Sequence, residues 1–157
     1  MLREALYAGE PAIGLDVTAI RLVTAMLLGS FIGFERESHD RPAGLRTHMM
    51  ISLASCLFAL VALLLVDLPT GDETALRYDP LRLIEAVTAG VAFLAAGSIL
   101  TKGDTIKGLT TGASMWLAGA IGLAVGTGNA TLALMAAVLG VVILRLLRPL
   151  KKGIGEE

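Results

Sequence analysis

The sequence is poor in charged and aromatic side chains. Charged residues make up 17% of its 157 residues, and Phe, Trp and Tyr together 4%, whereas a soluble domain carries about 25% charge. The mean hydropathy is +0.74, so the composition indicates a protein whose solvent is lipid. A net charge of −1 argues against nucleic-acid binding, because phosphate recognition needs an excess of basic residues.

Cysteine and histidine are also scarce. Cys56 is the single cysteine, so no disulfide can form within the chain, and its apolar neighbours favour a buried thiol. His39 and His48 lack the CxxC or HExxH spacing of zinc sites. There is no GxSxG motif and no phosphate loop. The chain is therefore not expected to be an enzyme or to carry a cofactor, and magnesium is considered only as a ligand or substrate.

Long apolar runs are what the sequence does contain. A helix crosses a bilayer with about 20 mostly apolar residues, in a range of about 17 to 25. Five segments approach this length: 17–34, 47–66, 83–100, 109–125 and 130–147. Backbone polar groups in lipid must be satisfied within their own segment, and no alternating pattern indicates a barrel. The prediction is an all-α fold, with residues 1–157 forming one domain of five transmembrane helices.

Basic residues in the connecting segments predict an orientation. They lie mainly on one side of the five spans, at Arg36, Arg41, Arg46, Lys102, Lys107, Arg148, Lys151 and Lys152. The connection after the second span is instead acidic. Because short loops rich in Lys and Arg stay in the cytoplasm, the N-terminus is expected outside and the C-terminus in the cytoplasm. Acids near the N-terminus disfavour a cleaved signal, so the first run is expected to remain as an anchor.

Small residues recur at spacings that allow helices to approach closely in lipid. The candidate packing positions are Gly29, Gly33, Gly90, Gly97, Gly112, Gly122 and Gly126. Two interpretations are open: compact packing within one monomer, or the interface of a homo-oligomer.

A second set of residues forms a candidate functional polar cluster for transport or another role. Its members are Arg21, Glu35, Arg36, Arg41, Arg46, Thr47, Glu85, Lys107, Thr110, Thr111 and Ser114. Ionisable groups inside a membrane helix are costly when unpaired and therefore suggest function. Arg21 and Glu85 either anchor helices at the interface or share a polar cavity. The hydroxyls near the fourth span either cap its start or line a vestibule.

The stretch GFERESHDRPAGLRTHMM, residues 33–50, mixes acids with arginines. Its acids could be hard oxygen ligands for Mg²⁺, although ion pairs with neighbouring arginines explain them more simply. The alternating charges predict that Glu35, Arg36, Arg41 and Arg46 pair with one another and with the start of the fourth span.

Three motifs together resemble the MgtC/SapB family of bacterial inner-membrane proteins. They are LLGSFIGFERESHDRPAGLRTHMMISLASCLF, GVAFLAAGSIL and IKGLTTGASMWLAGAIGLAVGTG, and the match runs from about Arg21 to Gly128. The chain departs from the family pattern at Ala92 and Ala95, where glycines are usual. It is expected to be a short form without the cytosolic C-terminal domain of longer members.

The resemblance implies a multi-pass protein of the bacterial inner membrane that is involved in magnesium homeostasis. Two functions follow from it as expectations. The first is transport of magnesium or another ion through a polar path between the helices. The alternative is a non-transporting regulatory protein that binds and modulates a membrane partner such as the ATP synthase. The expected partners are the lipid bilayer and either a second copy of the chain or another membrane protein, with no nucleic acid.

Overall fold

In a computed structural model, the structure describes residues 13–39, 41–66, 79–102 and 105–146. These residues form five α-helices and one two-stranded antiparallel hairpin. The elements are α1 (Leu15–Glu37), α2 (Leu45–Val66), α3 (Pro80–Gly97), β1 (Leu100–Lys102), β2 (Thr105–Lys107), α4 (Leu109–Gly126) and α5 (Ala130–Leu146). The predicted helical fold is therefore confirmed, and the short hairpin between α3 and α4 is a feature that the apolar runs did not predict.

Three helices are long and apolar enough to cross a membrane: α1, α2 over Leu45–Leu65, and α4. Helix α5 is apolar but shorter. The protein is thus a membrane protein by the length and composition of its helices. The number of spans and the orientation stay predictions. The acidic connection before Asp79 and the basic residues after α5 lie outside the described residues.

The ends of two helices differ from the predicted spans. Helix α1 continues through the charged residues as far as Glu37, because Glu35 and Arg36 are buried against protein and do not have to leave the helix for water. Helix α3 begins at Pro80, where the Asp79 side chain accepts a hydrogen bond from the Leu81 N–H at 3.0 Å. An aspartate cap followed by proline at the first helical position is a common helix start.

Helix α4 is the centre of the bundle. It contacts the other four helices, and α1 packs against α2 beside it, whereas α3 packs mainly on α4. Two apolar clusters result. One joins α1, α2, α4 and α5 around Ile32, Cys56 and Ile121. The other joins α2, α3 and α4 around Val91 and Met115.

Close helix contacts explain most of the predicted packing glycines. A Cβ on Gly126 would lie 2.6 Å from the Ala59 Cβ and 2.7 Å from the Cys56 carbonyl oxygen, and one on Gly122 would overlap the Ser52 carbonyl oxygen. The backbones of α2 and α4 are therefore in direct contact.

The same holds between α1 and α2 and, more loosely, between α3 and α4. A Cβ on Gly29 would lie 2.8 Å from the His48 carbonyl oxygen, and one on Gly33 would lie 2.7 Å from the Leu45 Cα. A Cβ on Gly112 would lie 3.3 Å from the Ala95 Cβ. These glycines let polar backbone and side-chain groups of neighbouring helices meet.

Gly90 and Gly97 do not have the packing role predicted for them within the described chain. A Cβ on either glycine would meet no described atom within 4 Å. The reason is which side of α3 packs against the rest of the protein. Its inner face presents Val87, Val91 and Ala95 to α4, and the two glycines lie on the outer face.

Candidate functional site

Buried polar side chains meet where α1 ends and where α2 and α4 begin. We call this group the polar core, and it consists of Glu35, Arg36, His48, Ser52, Thr111 and Ser114. Every member has at most 6% of its surface exposed. Polar groups this deep are stable only when they are hydrogen-bonded, so their partners define what the site can do.

Arg36 connects α1 to α4. Its Nη2 donates a hydrogen bond to the Thr111 Oγ1 at 2.8 Å, which joins the last turn of α1 to the first turn of α4. Arg36 is 6% exposed, so its guanidinium places a positive charge inside the protein at this end of the bundle. Charge-assisted bonds of this kind are about twice as strong as neutral ones.

His48 connects α2 to α4. Its Nδ1 lies 2.8 Å from the Gly44 carbonyl oxygen and its Nε2 lies 3.0 Å from the Ser114 Oγ. A carbonyl only accepts, so Nδ1 carries a proton and donates it.

Ser114 has two competing partners for its single hydroxyl proton. Its Oγ also lies 2.8 Å from the Thr111 carbonyl oxygen. With a neutral His48 ring, Nε2 is an acceptor, and the Ser114 proton serves either that nitrogen or the Thr111 carbonyl. The arrangement is a short hydrogen-bonded chain that runs from α2 to the backbone of α4.

Ser52 completes the polar core by joining α2 to α1. Its Oγ donates a hydrogen bond to the Ala25 carbonyl oxygen at 2.7 Å. Neither Ser52 nor His48 was in the predicted polar cluster. Four-residue spacing from His48 to Ser52 puts both on one helix face, and this polar pair inside an apolar run was the available signal.

Glu35 pairs with a histidine and not with the predicted arginines. Its side chain is 4% exposed, and Oε1 lies 3.3 Å from the His39 Nδ1. Its Oε2 is buried without a hydrogen bond from any residue that the structure describes. His39 Nδ1 also lies 2.6 Å from the Glu35 carbonyl oxygen, so this ring folds back over the end of α1.

Glu37 has a structural role that the sequence did not suggest. Its Oε2 accepts a hydrogen bond from the Leu45 N–H at 2.8 Å and so caps the start of α2. Gly44 lies directly against this carboxylate, and a Cβ there would overlap it. The glycine thus makes room for the cap.

The predicted network of Glu35, Arg36, Arg41 and Arg46 is not formed among the described residues. Helix α1 runs to Glu37, so it carries Glu35 and Arg36 into the protein. Arg41 and Arg46 follow the turn and remain exposed. They line an open cavity of about 570 Å³ together with Glu37, Pro42, Gly44 and Thr47.

The remaining predicted residues lie apart from the polar core. Arg21 Nη1 donates a hydrogen bond to the Gly126 carbonyl oxygen at 2.9 Å, at the far end of α4. Glu85 is exposed on α3, and Lys107 and Thr110 are exposed beside the start of α4. Arg21 and Glu85 therefore do not meet, because α1 and α3 share little contact.

The described residues contain no group of three or more His, Cys, Asp and Glu side chains that could hold a metal ion. The hydrogen bonds of the polar core hold three helices in place relative to one another. Direct side-chain bonds link α1 to α4 through Arg36, α2 to α4 through His48, and α2 to α1 through Ser52.

Comparison with known proteins gives a consistent answer. The model of the MgtC family matches residues 22–153. An uncharacterized protein of Haemophilus influenzae is 39% identical over 127 residues, which cover 80% of this chain and 53% of that protein. A protein of Escherichia coli named "Putative magnesium transporter YhiD" is 37% identical over 132 residues, covering 83% of this chain and 60% of that protein.

A protein of Brucella abortus named "Protein MgtC" is 36% identical over 133 residues, covering 85% of this chain and 52% of that protein. The chain thus spans between half and two thirds of the length of these relatives. No solved structure matches. The helices α1, α2 and α4, which form the polar core, lie almost wholly within the matched residues, and the chain belongs to the MgtC family.

Proposed function

We propose that this protein acts in magnesium homeostasis in the bacterial inner membrane as a non-conducting regulator of a membrane partner. One observation carries the proposal: the helices that enclose the polar core are in backbone contact. Between α2 and α4, a single added methyl on Gly122 or Gly126 would overlap the opposite helix or press against it. Mg²⁺ keeps several of its waters when it binds to protein, and such an ion needs far more room than a methyl group.

The hydrogen bonds of the polar core support the same proposal. Arg36 ties α1 to the first turn of α4 through Thr111, and His48 ties α2 to α4 through Ser114. A path for Mg²⁺ along this interface would have to break these buried bonds, which is costly.

The outer face of α3 supports the part of the proposal that concerns a membrane partner. Gly90 and Gly97 lie there with no described atom near them, and Phe93 between them is 80% exposed. Small residues beside a large apolar one form a shape that another transmembrane helix can fit closely. We therefore take the partner to be an integral membrane protein that contacts α3 with one of its helices.

Transport is the second candidate, and a different observation favours it. Glu35 holds a buried carboxylate oxygen, Oε2, without a hydrogen bond from a described residue. Hydroxyls of Thr111, Ser114 and Ser52 continue from this region into the bundle. If the helices separated, these oxygens would line a polar path of the hard ligands that magnesium prefers.

Flux measurement separates the two candidates. Purified protein would be reconstituted into liposomes that hold a magnesium-sensitive dye, and Mg²⁺ would be added outside with and without a membrane potential. We expect a flat trace from vesicles in which insertion is verified by protease protection and in which an added ionophore gives full signal. Uptake that is lost in Glu35→Gln protein would overturn the regulatory proposal and establish transport.

The partner is tested separately in cells. A host strain whose only copy carries Gly90→Leu is expected to grow poorly at low magnesium, because the bulky side chain blocks the outer face of α3. The matched control is Leu139→Ala on α5, where Leu139 is 59% exposed and no such face is proposed. Normal growth of the Gly90→Leu strain, with the protein present in the membrane, would remove α3 as the docking face.

A further inference from the structure

The cavity beside the charged loop is not used by the proposed function. Glu37, Arg41, Pro42, Gly44, Arg46 and Thr47 line it. Its volume of about 570 Å³ lies within the range of small-ligand sites, roughly 300–1,000 Å³. It sits where α1 has ended and α2 begins, on the side of the bundle that the basic loops predict to be cytoplasmic.

Two arginines contribute positive charge to this cavity. Arg41 and Arg46 both line it and are exposed. Among the described residues, the ion pairs are those of His39 with Glu35 and of Arg82 with Asp79, so neither of these two guanidiniums is neutralised by a described acid. The guanidinium of Arg21, by contrast, donates a hydrogen bond to the Gly126 carbonyl oxygen.

Glu37, the acid in the described lining of the cavity, is already engaged. The Glu37 carboxylate accepts the Leu45 N–H at 2.8 Å, so its Oε2 points at the start of α2. The described lining carries two positive charges and one negative charge, and the Thr47 hydroxyl adds a hydrogen-bond donor.

An apolar track leads away from the cavity along α2. Met50 follows Arg46 by one helical turn and is 64% exposed, and Leu57 lies two turns further on the same side and is 46% exposed. A ligand with a phosphate at one end and hydrocarbon at the other would match the arginines and this track together.

We propose that this cavity binds a phosphate group, and that its main source is the headgroup of an anionic phospholipid whose acyl chains lie along Met50 and Leu57. Guanidinium groups bind phosphate oxygens in a two-pronged manner that lysine cannot reproduce. Basic pockets at the cytoplasmic ends of membrane helices are suited to anionic headgroups. The site is independent of the proposed regulatory function, because it uses none of the polar core.

Binding of phosphatidylglycerol to the detergent-solubilised protein tests the proposal, with diacylglycerol of the same acyl chains as the phosphate-free comparison. Native mass spectrometry would count the bound lipid at each concentration. We expect the Arg41→Gln/Arg46→Gln protein to bind phosphatidylglycerol about tenfold more weakly than wild type, since charge-assisted bonds are lost. The matched control is Arg145→Gln, which removes one exposed arginine from the last turn of α5 and leaves the cavity intact.

A second arm adds inorganic phosphate to the same proteins. If phosphate binds alone, depends on Arg41 and Arg46, and displaces the lipid, the site is a free-phosphate site and the phosphate chemistry is upheld. Equal binding of diacylglycerol and phosphatidylglycerol would overturn the proposal, as would an equal loss in the Arg145→Gln control. The Arg41→Lys/Arg46→Lys protein keeps both charges, so weaker binding there assigns the effect to the guanidinium fork.

Discussion

The glycines of α4 and the glycines of α3 lie in opposite surroundings. Gly122 and Gly126 are pressed against the backbone of α2, whereas Gly90 and Gly97 meet no described atom. Both pairs look like packing positions in the sequence. The difference arises because α4 contacts four helices and α3 packs mainly on one. Small residues therefore hold the bundle together in the centre, and at the edge they leave a surface that another molecule can use.

The largest effect is expected for Gly122→Leu. The new side chain would collide with the Ser52 carbonyl and the Ser55 Cβ, so α2 and α4 would have to separate. Overpacking of this kind typically costs about 1 to 3 kcal/mol and occasionally more, and we expect at least the upper value because the obstacle is backbone. Unfolding by a denaturing detergent, followed by circular dichroism, measures the loss.

Gly90→Leu is the matched control for that experiment. It makes the same chemical change in another helix, and the residue has open space around it. Replacing a mid-helix glycine should itself stabilise α3 by roughly 0.5 to 1 kcal/mol, and beyond that gain the unfolding free energy should stay within about 0.5 kcal/mol of wild type. A large destabilisation by Gly90→Leu would mean that α3 is packed on both faces. The glycines of α3 and of α4 would then not differ in their surroundings.

The next largest effect is expected for His48→Ala. The substitution removes the bonds to Gly44 and Ser114 and leaves buried polar groups unsatisfied, which costs about 1 to 3 kcal/mol. Ser114→Ala should cost less, because the His48 ring keeps its bond to the Gly44 carbonyl oxygen. A double-mutant cycle would measure the coupling between the two side chains, expected at about 0.5 to 3 kcal/mol, and additive single effects would show that the bond contributes nothing.

A smaller effect is expected for Glu37→Ala. Loss of the cap on the Leu45 N–H should cost about 1 kcal/mol, a typical value for a helix amino-terminal cap. Glu37→Gln keeps an oxygen acceptor and removes the charge, so it should retain most of the stability. If both variants lose the same amount, the charge of Glu37 matters and the cap does not.

The smallest effects concern Arg21 and Glu85. Arg21→Met removes the bond to the Gly126 carbonyl and should cost about 0.5 to 1.5 kcal/mol. Glu85→Gln changes an exposed side chain on α3 and should leave stability within about 0.5 kcal/mol. A larger cost of Glu85→Gln than of Arg21→Met would revive the alternative that the two residues share a polar cavity.

The sequence predicts much of the site. Charged or hydroxyl residues near the ends of apolar runs suggest it at Glu35, Arg36, Thr111 and Ser114, and the structure brings these residues together. The ion pair that Glu35 forms among the described residues is with His39 and not with the expected arginines. Residues 33–50 are not a single loop in which neighbouring opposite charges pair. Because α1 continues to Glu37, charges adjacent in sequence point into different environments.

His48 is a residue of the polar core whose role the sequence does not predict. A histidine in an apolar run gives little sign of its role, since its partners lie 66 residues further along the chain at Ser114 and in the turn before α2. Only packing of α2 against α4 creates this contact. The same is true of Ser52, which bonds to the backbone of α1.

The sequence by itself determined that this is a helical membrane protein, because long apolar runs are a local property of the chain. Its motifs, which are also local, carry the resemblance to the MgtC family that the family model shows. Tertiary structure alone decided which glycines are buried, which arginine enters the core and which acids find partners. Those outcomes depend on which face of each helix meets a neighbour. Helix faces in lipid are chosen by close packing and buried hydrogen bonds, and neither can be read from one segment at a time.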